Sequence, residues 1–216
     1  VVAVLLLPGV LLLSYAVMRA LERPLPDPRI TVTILSVIAF FLAAGCEEIG
    51  WTGYALDPLQ RRWGALPAAL TLGAFGALWH VVPYLQGNHS GTWIIGQCVF
   101  TVASRVVIVW LYNSSGGSLL VAILFHAMSN VGSGAFPNSG SHYDPVITGA
   151  ITAAVALAII LLTDRQNHTE PDAKVASLVR HDGSRAAGEP VPVLRGAGPD
   201  HVRPARQPGP QRRPIH

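Results

Sequence analysis

Residues 30–48 read ITVTILSVIAFFLAAGCEE. From Ile30 to Cys46 no side chain is charged, and then two carboxylates follow side by side, Glu47 and Glu48. An uncharged apolar run of roughly 17–25 residues is what an α-helix needs to cross a bilayer core. Carboxylates held at membrane depth cost about 3 kcal/mol or more each, so they are rare and commonly functional. One stretch therefore points both to membrane helices and to the place where chemistry should sit.

Five more apolar segments flank it, giving six in all: Val1–Met18, Ile30–Leu56, Leu66–Leu85, Trp93–Tyr112, Ser118–Phe136 and Pro145–Leu162. All are close to spanning length. The expected fold is all-α, a polytopic bundle of about six transmembrane helices occupying residues 1–163, with a motif core over 30–136. Turn residues mark the connections: Pro24, Pro26 and Pro28, then Asp57-Pro58, Gly87-Asn88, Asn113 to Gly117, and Pro137 to Gly140. Trp51 and Tyr54 read as an interfacial belt at the end of the long second segment. Val1 to Met18 has no positive n-region and reads as a membrane helix, not a signal peptide.

Composition agrees. Half of the residues are hydrophobic and only 12% are charged, about half the charged share of an ordinary soluble domain. The net charge of +3 comes from arginine, since Lys174 is the only lysine. That bias suggests a GC-rich bacterial genome. A basic balance suits anionic lipid headgroups, and no basic patch interleaved with aromatics points to nucleic acid. Residues 164–216 are rich in Pro, Gly and Arg and lack apolar periodicity, so this tail is expected to be disordered. Arg61, Arg62 and the basic tail favour the cytoplasm for both termini of a protein in the plasma membrane. Cys46 and Cys98 lie in apolar stretches and imply no disulfide.

The polar residues inside these segments form a set. His80 lies on the third. His126 and Asn130 lie on the fifth, four apart and so on one helix face. Glu47 and Glu48 differ by about 100° around their helix, so one can face a centre while the other supports it. At about 1.5 Å rise per residue, Glu47 lies roughly 5 Å inside one face of a ~30 Å core, His126 about 12 Å in and His80 about 21 Å in, so the first two agree if the helices tilt and His80 is deeper. Together they offer a carboxylate to take a proton from water, imidazoles to hold a metal or an oxyanion, and a carboxamide to donate to negative charge. Arg105, in mid-span, reads as a structural partner for a glutamate, with Glu48 the candidate. Gly45, Gly50 and Gly53 read as sites of close helix contact. His89 and His142, in polar loops, read as bystanders.

These residues resemble the CPBP intramembrane proteases, which include the type II CAAX prenyl endopeptidases and bacteriocin-immunity-type relatives. The family pattern is Glu-Glu-x-x-x-Arg, then Phe-x-x-x-His, then His-x-x-x-Asn on separate membrane helices. Here it reads Glu47-Glu48-Ile49-Gly50-Trp51-Thr52, Gly76-Ala77-Leu78-Trp79-His80 and His126-Ala127-Met128-Ser129-Asn130. Thr52 stands where the pattern has arginine, and Gly76 where it has phenylalanine, with Phe75 one position earlier. The resemblance implies an intramembrane endopeptidase with Glu47 as the water-activating residue. His80, His126 and Asn130 would complete the site and Glu48 would support it. The substrate would be a membrane-associated peptide, either prenylated or membrane-inserted. A divalent metal such as Zn2+ on Glu47, His80 and His126 and a metal-free mechanism both remain open at this point. The competing class is a non-catalytic immunity or partner-binding protein with a structural Glu/His core.

Overall fold

The computed structural model describes residues 1–23, 33–134 and 144–164. The proline turn at 24–28, the turn at 137–140, His142 and the tail from 165 onward lie outside the described residues.

Every described element is helical: α1 (Val2–Ala20), α2 (Ile34–Glu48), a π-helical segment (Ile49–Leu56), α3 (Asp57–Trp63), α4 (Ala65–Gln86), α5 (Gly91–Ser114), α6 (Leu119–Gly134) and α7 (Pro145–Asp164). Val2–Ala20, Ile34–Trp63, Ala65–Gln86, Gly91–Ser114 and Pro145–Asp164 are each long and apolar enough to cross a membrane, and Leu119–Gly134 is a shorter apolar helix. Large apolar side chains such as Ile34, Leu35 and Leu12 are 82%, 76% and 71% exposed. On a soluble protein such a surface would aggregate; here hydrocarbon covers it. The chain is a multi-pass membrane protein with an all-helical bundle.

Local chemistry fixes the helix ends. A Thr33–Ser36 capping box starts α2: the Ser36 amide donates to Thr33 Oγ1 at 3.2 Å, and the Thr33 amide to Ser36 Oγ at 2.9 Å. Asp57-Pro58 does not end the second span as the turn signal suggested. Pro58 falls in the first turn of α3, where its missing N–H costs little, and the chain stays helical to Trp63. The break comes at Gly64, whose φ of 86° suits glycine alone.

α5 is the central helix, with 56% of its membrane window buried against 11–33% for the other long helices. It packs on α4 and α6, and α6 also packs on α1 and α2. Glycines set the closest approaches. A Cβ at Gly73 of α4 would lie 3.0 Å from Val102 Cα and 3.2 Å from Arg105 Cβ of α5. One at Gly149 of α7 would lie 2.7 Å from the Gly96 carbonyl oxygen of α5. Buried hydroxyls join α1 to α7, with Thr148 Oγ1 donating to Ser14 Oγ at 2.8 Å. The expectation for Gly45 and Gly50 fails, because a Cβ there would meet nothing within 4 Å; only Gly53 touches a neighbour, Leu119. Gly50 and Gly53 instead fall in the π segment, where weak α-helical preference suits a widened turn.

Candidate functional site

The π segment begins immediately after Glu48, so the two carboxylates sit on the last α-helical turn before the backbone widens. π turns inside α-helices recur at functional sites. Here the wider turn leaves Thr52 beside Glu48: its hydroxyl donates to Glu48 Oε2 in a short hydrogen bond. Both residues are fully buried.

Glu48 is the hub of a network across three helices. Arg105 of α5 grips it with two nitrogens, Nη1 to Oε2 at 2.7 Å and Nη2 to Oε1 at 3.1 Å. Arg105 Nη1 also donates to Thr52 Oγ1 at 3.3 Å. From α6, His126 Nδ1 lies 2.7 Å from Glu48 Oε1. A bidentate arginine fork and two further donors satisfy a carboxylate that would otherwise be stranded in an apolar interior. The expected structural pairing of Arg105 with Glu48 is what the geometry contains.

Glu47 occupies the opposite situation. Its side chain is 43% exposed, and its Oε2 lies 4.0 Å from His126 Nε2. The two glutamates therefore divide as the helix period requires, one toward a cavity and one into the packing behind it. That cavity, about 150 Å³, is lined by Glu47, His80, His126 and Asn130 together, along with Arg105. Four of the five expected site residues share it, and Glu48 stands behind His126.

The histidine ring orientations are set by what their Nδ1 atoms touch. His80 Nδ1 lies 2.7 Å from the Gly76 carbonyl oxygen one turn back on α4. A carbonyl only accepts, so His80 Nδ1 donates and its Nε2 carries the lone pair. His126 Nδ1 likewise donates to the Glu48 carboxylate, leaving Nε2 toward Glu47. Both rings thus offer a basic nitrogen, the form a metal ligand requires. Among the described residues, however, no three His, Cys, Asp or Glu side chains lie close enough to share one ion. The set Glu47, His80 and His126 does not close around a metal in this arrangement.

Several cavity residues were not singled out from the sequence. Gln97, Thr101 and Ser104 form a polar strip on α5, and Ser129 and Ser133 face it from α6. Spacings of four and three within an otherwise apolar segment were the available signal. Trp51 lines the same cavity, which corrects its reading as a belt residue; Tyr54, 83% exposed, remains outward. His89 is not among the residues that line this cavity and stacks face to face on Trp93 with centroids 3.7 Å apart. Cys46 and Cys98 are both free.

Comparison with known proteins falls on the same stretch of the chain. Residues 29–132 match the family model described as Type II CAAX prenyl endopeptidase Rce1-like. A curated relative, the CAAX prenyl protease 2 of Methanococcus maripaludis, is 32% identical over 98 residues, 42% of this chain and 36% of that protein. The matched region thus spans about a third of the relative's length. The family-model range, 29–132, contains Glu47, His80, His126 and Asn130, which line one cavity, and Glu48 behind it. Over this membrane core, somewhat less than half of its length, the chain is similar to the Rce1-like type II CAAX prenyl endopeptidases.

Proposed function

We propose that the chain is an intramembrane endopeptidase that hydrolyses a peptide bond of a membrane-associated, prenylated peptide, using water activated by Glu47. The observation that supports it best is the placement of Glu47, half-exposed to a polar cavity and 4.0 Å from the free nitrogen of His126. In this reading water donates one proton to the Glu47 carboxylate as its oxygen attacks the scissile carbonyl carbon. The carbonyl π electrons move to oxygen, and Asn130 donates a hydrogen bond to that oxyanion. On collapse the carbon–nitrogen bond breaks, and the proton held by Glu47 passes to the departing amine. The water's second proton is donated in a hydrogen bond to the Nε2 lone pair of His126, which keeps the water aimed, while His80 presents its own Nε2 lone pair to the same cavity. The chain would act in the plasma membrane, with the α3–α4 side and its Arg61 and Arg62 facing the cytoplasm.

The test is hydrolysis of a quenched, farnesylated peptide library by the purified chain in detergent, beside Glu47→Gln. The isosteric amide keeps the shape and loses the proton affinity, so kcat should fall by about 10²-fold or more, with little change in melting temperature. Wild-type and Glu47→Gln protein that are equally inactive in hydrolysis and equally functional in cells would instead support a partner-binding role with a structural polar core.

A further inference from the structure

We propose that Arg105 is the positioning cation of this site: reaching Glu48 from α5, it sets which nitrogen of His126 faces Glu47. The proposal rests on the protease reading for its kinetic consequence but not for its structural one. Glu48 is fully buried and at membrane depth, where a carboxylate stays ionised only if a nearby charge meets it. The guanidinium that meets it is 57 residues away in sequence and grips both oxygens. An ionised carboxylate can only accept, so His126 must donate from Nδ1 and turn an unprotonated Nε2 toward Glu47. The orientation of His126 is therefore set by Arg105 acting through Glu48.

Position 52 explains why the cation comes from another helix. Residue 52 lies one turn beyond Glu48 on the same helix, and its side chain already touches Glu48 and Arg105. A long cationic side chain rooted there would reach the same carboxylate. This chain has a short hydroxyl at 52 instead, and the Arg105 guanidinium donates to it at 3.3 Å. Gly73 supports the arrangement by letting α4 lie against the α5 backbone beside Arg105. One duty, neutralising Glu48, is divided between two helices, and the division ties α2 to α5 across the back of the cavity.

The decisive experiment compares the full chain in lipid nanodiscs with Arg105→Gln, Arg105→Lys, Thr52→Arg and the swap Thr52→Arg/Arg105→Gln. Side-chain 15N spectra of histidine-labelled protein, assigned by His126→Gln, report the His126 tautomer independently of activity. The wild type should show Nδ1–H at His126. Arg105→Gln should lose that signature and lower kcat about 10–100-fold with KM little changed, as expected when an orienting partner is removed. Arg105→Lys should retain the tautomer, and the swap should restore both tautomer and kcat. Thr52→Arg alone, with two guanidinium groups at one carboxylate, should be less stable than the swap. If Arg105→Gln keeps the His126 tautomer, the proposal is overturned. A swap that folds with a wild-type melting temperature but fails to restore the tautomer overturns it too. Should Arg105→Gln not fold, the Lys variant and the swap decide by the same spectra. A wild type that shows the tautomer yet hydrolyses nothing counts against the protease reading and leaves this assignment standing.

Discussion

Glu48 Oε1 and His126 Nδ1 lie 2.7 Å apart although 78 residues separate them in the chain. Through that bond a residue with no exposure to solvent governs the ring of one that lines the cavity. The neighbouring Glu47 has no such burial. Adjacent identical residues therefore have different physical jobs, and their substitutions should fail in different ways.

Glu48→Gln should fail by unfolding. It removes the anion but leaves the Arg105 guanidinium buried, and breaking a buried pair in this way costs about 3–5 kcal/mol. Its amide would also turn a donor toward donors already in place. The mutant should melt well below the wild type in detergent, whereas Glu47→Gln should melt with it. A Glu48→Gln protein as stable as wild type but merely slower would show that Glu48 acts at the cavity and not behind it.

The bundle and the positions of Glu47, His80, His126 and Asn130 were legible because apolar length and one-turn spacing are local properties. The π segment was not. A reading at 100° per residue assumes that i→i+4 bonding persists, and nothing in IGWTGYAL announces the wider turn except two glycines. Asp57-Pro58 misled because a turn signal and a helix first turn share the same residues. Arg105 could be nominated as a partner of Glu48 from charge alone, but its contact with Thr52 depends on how α2 and α5 cross.

Gly73→Leu should push α4 away from α5. The first added carbon already falls 3.0 Å from Val102 Cα and 3.2 Å from Arg105 Cβ, with backbone on one side that cannot yield. Overpacking of this kind costs about 1–3 kcal/mol, and it displaces the root of the arginine. Lower melting temperature together with a lower kcat is expected. Gly45→Leu, where no atom lies within 4 Å, serves as the control and should leave both unchanged.

Chelation addresses the histidines. Because no three ligating side chains among the described residues converge on one point, dialysis against EDTA and 1,10-phenanthroline should leave peptide hydrolysis and melting temperature unchanged. Activity lost on chelation and restored by Zn2+ would mean that Glu47, His80 and His126 close on an ion in the working enzyme, where both Nε2 lone pairs would serve as ligands.

Ser104 offers a last test, of how the cavity holds a peptide. Its hydroxyl is buried, lines the cavity and has no hydrogen-bond partner among the described residues. Burying a hydroxyl without a partner is unfavourable, so the group should find one when substrate enters. A peptide in the cavity brings carbonyl and amide groups that have left water, and Gln97 and Thr101 on the same face offer further partners. Replacing Ser104 with alanine removes no bond from the free protein. Its melting temperature should therefore stay level or rise slightly. The bound peptide would lose one neutral hydrogen bond, about 0.5–1.5 kcal/mol, which corresponds to a KM about 2–10-fold higher with kcat nearly constant. Unchanged KM alongside unchanged stability would mean that the Ser104 hydroxyl meets water in both states and takes no part in binding.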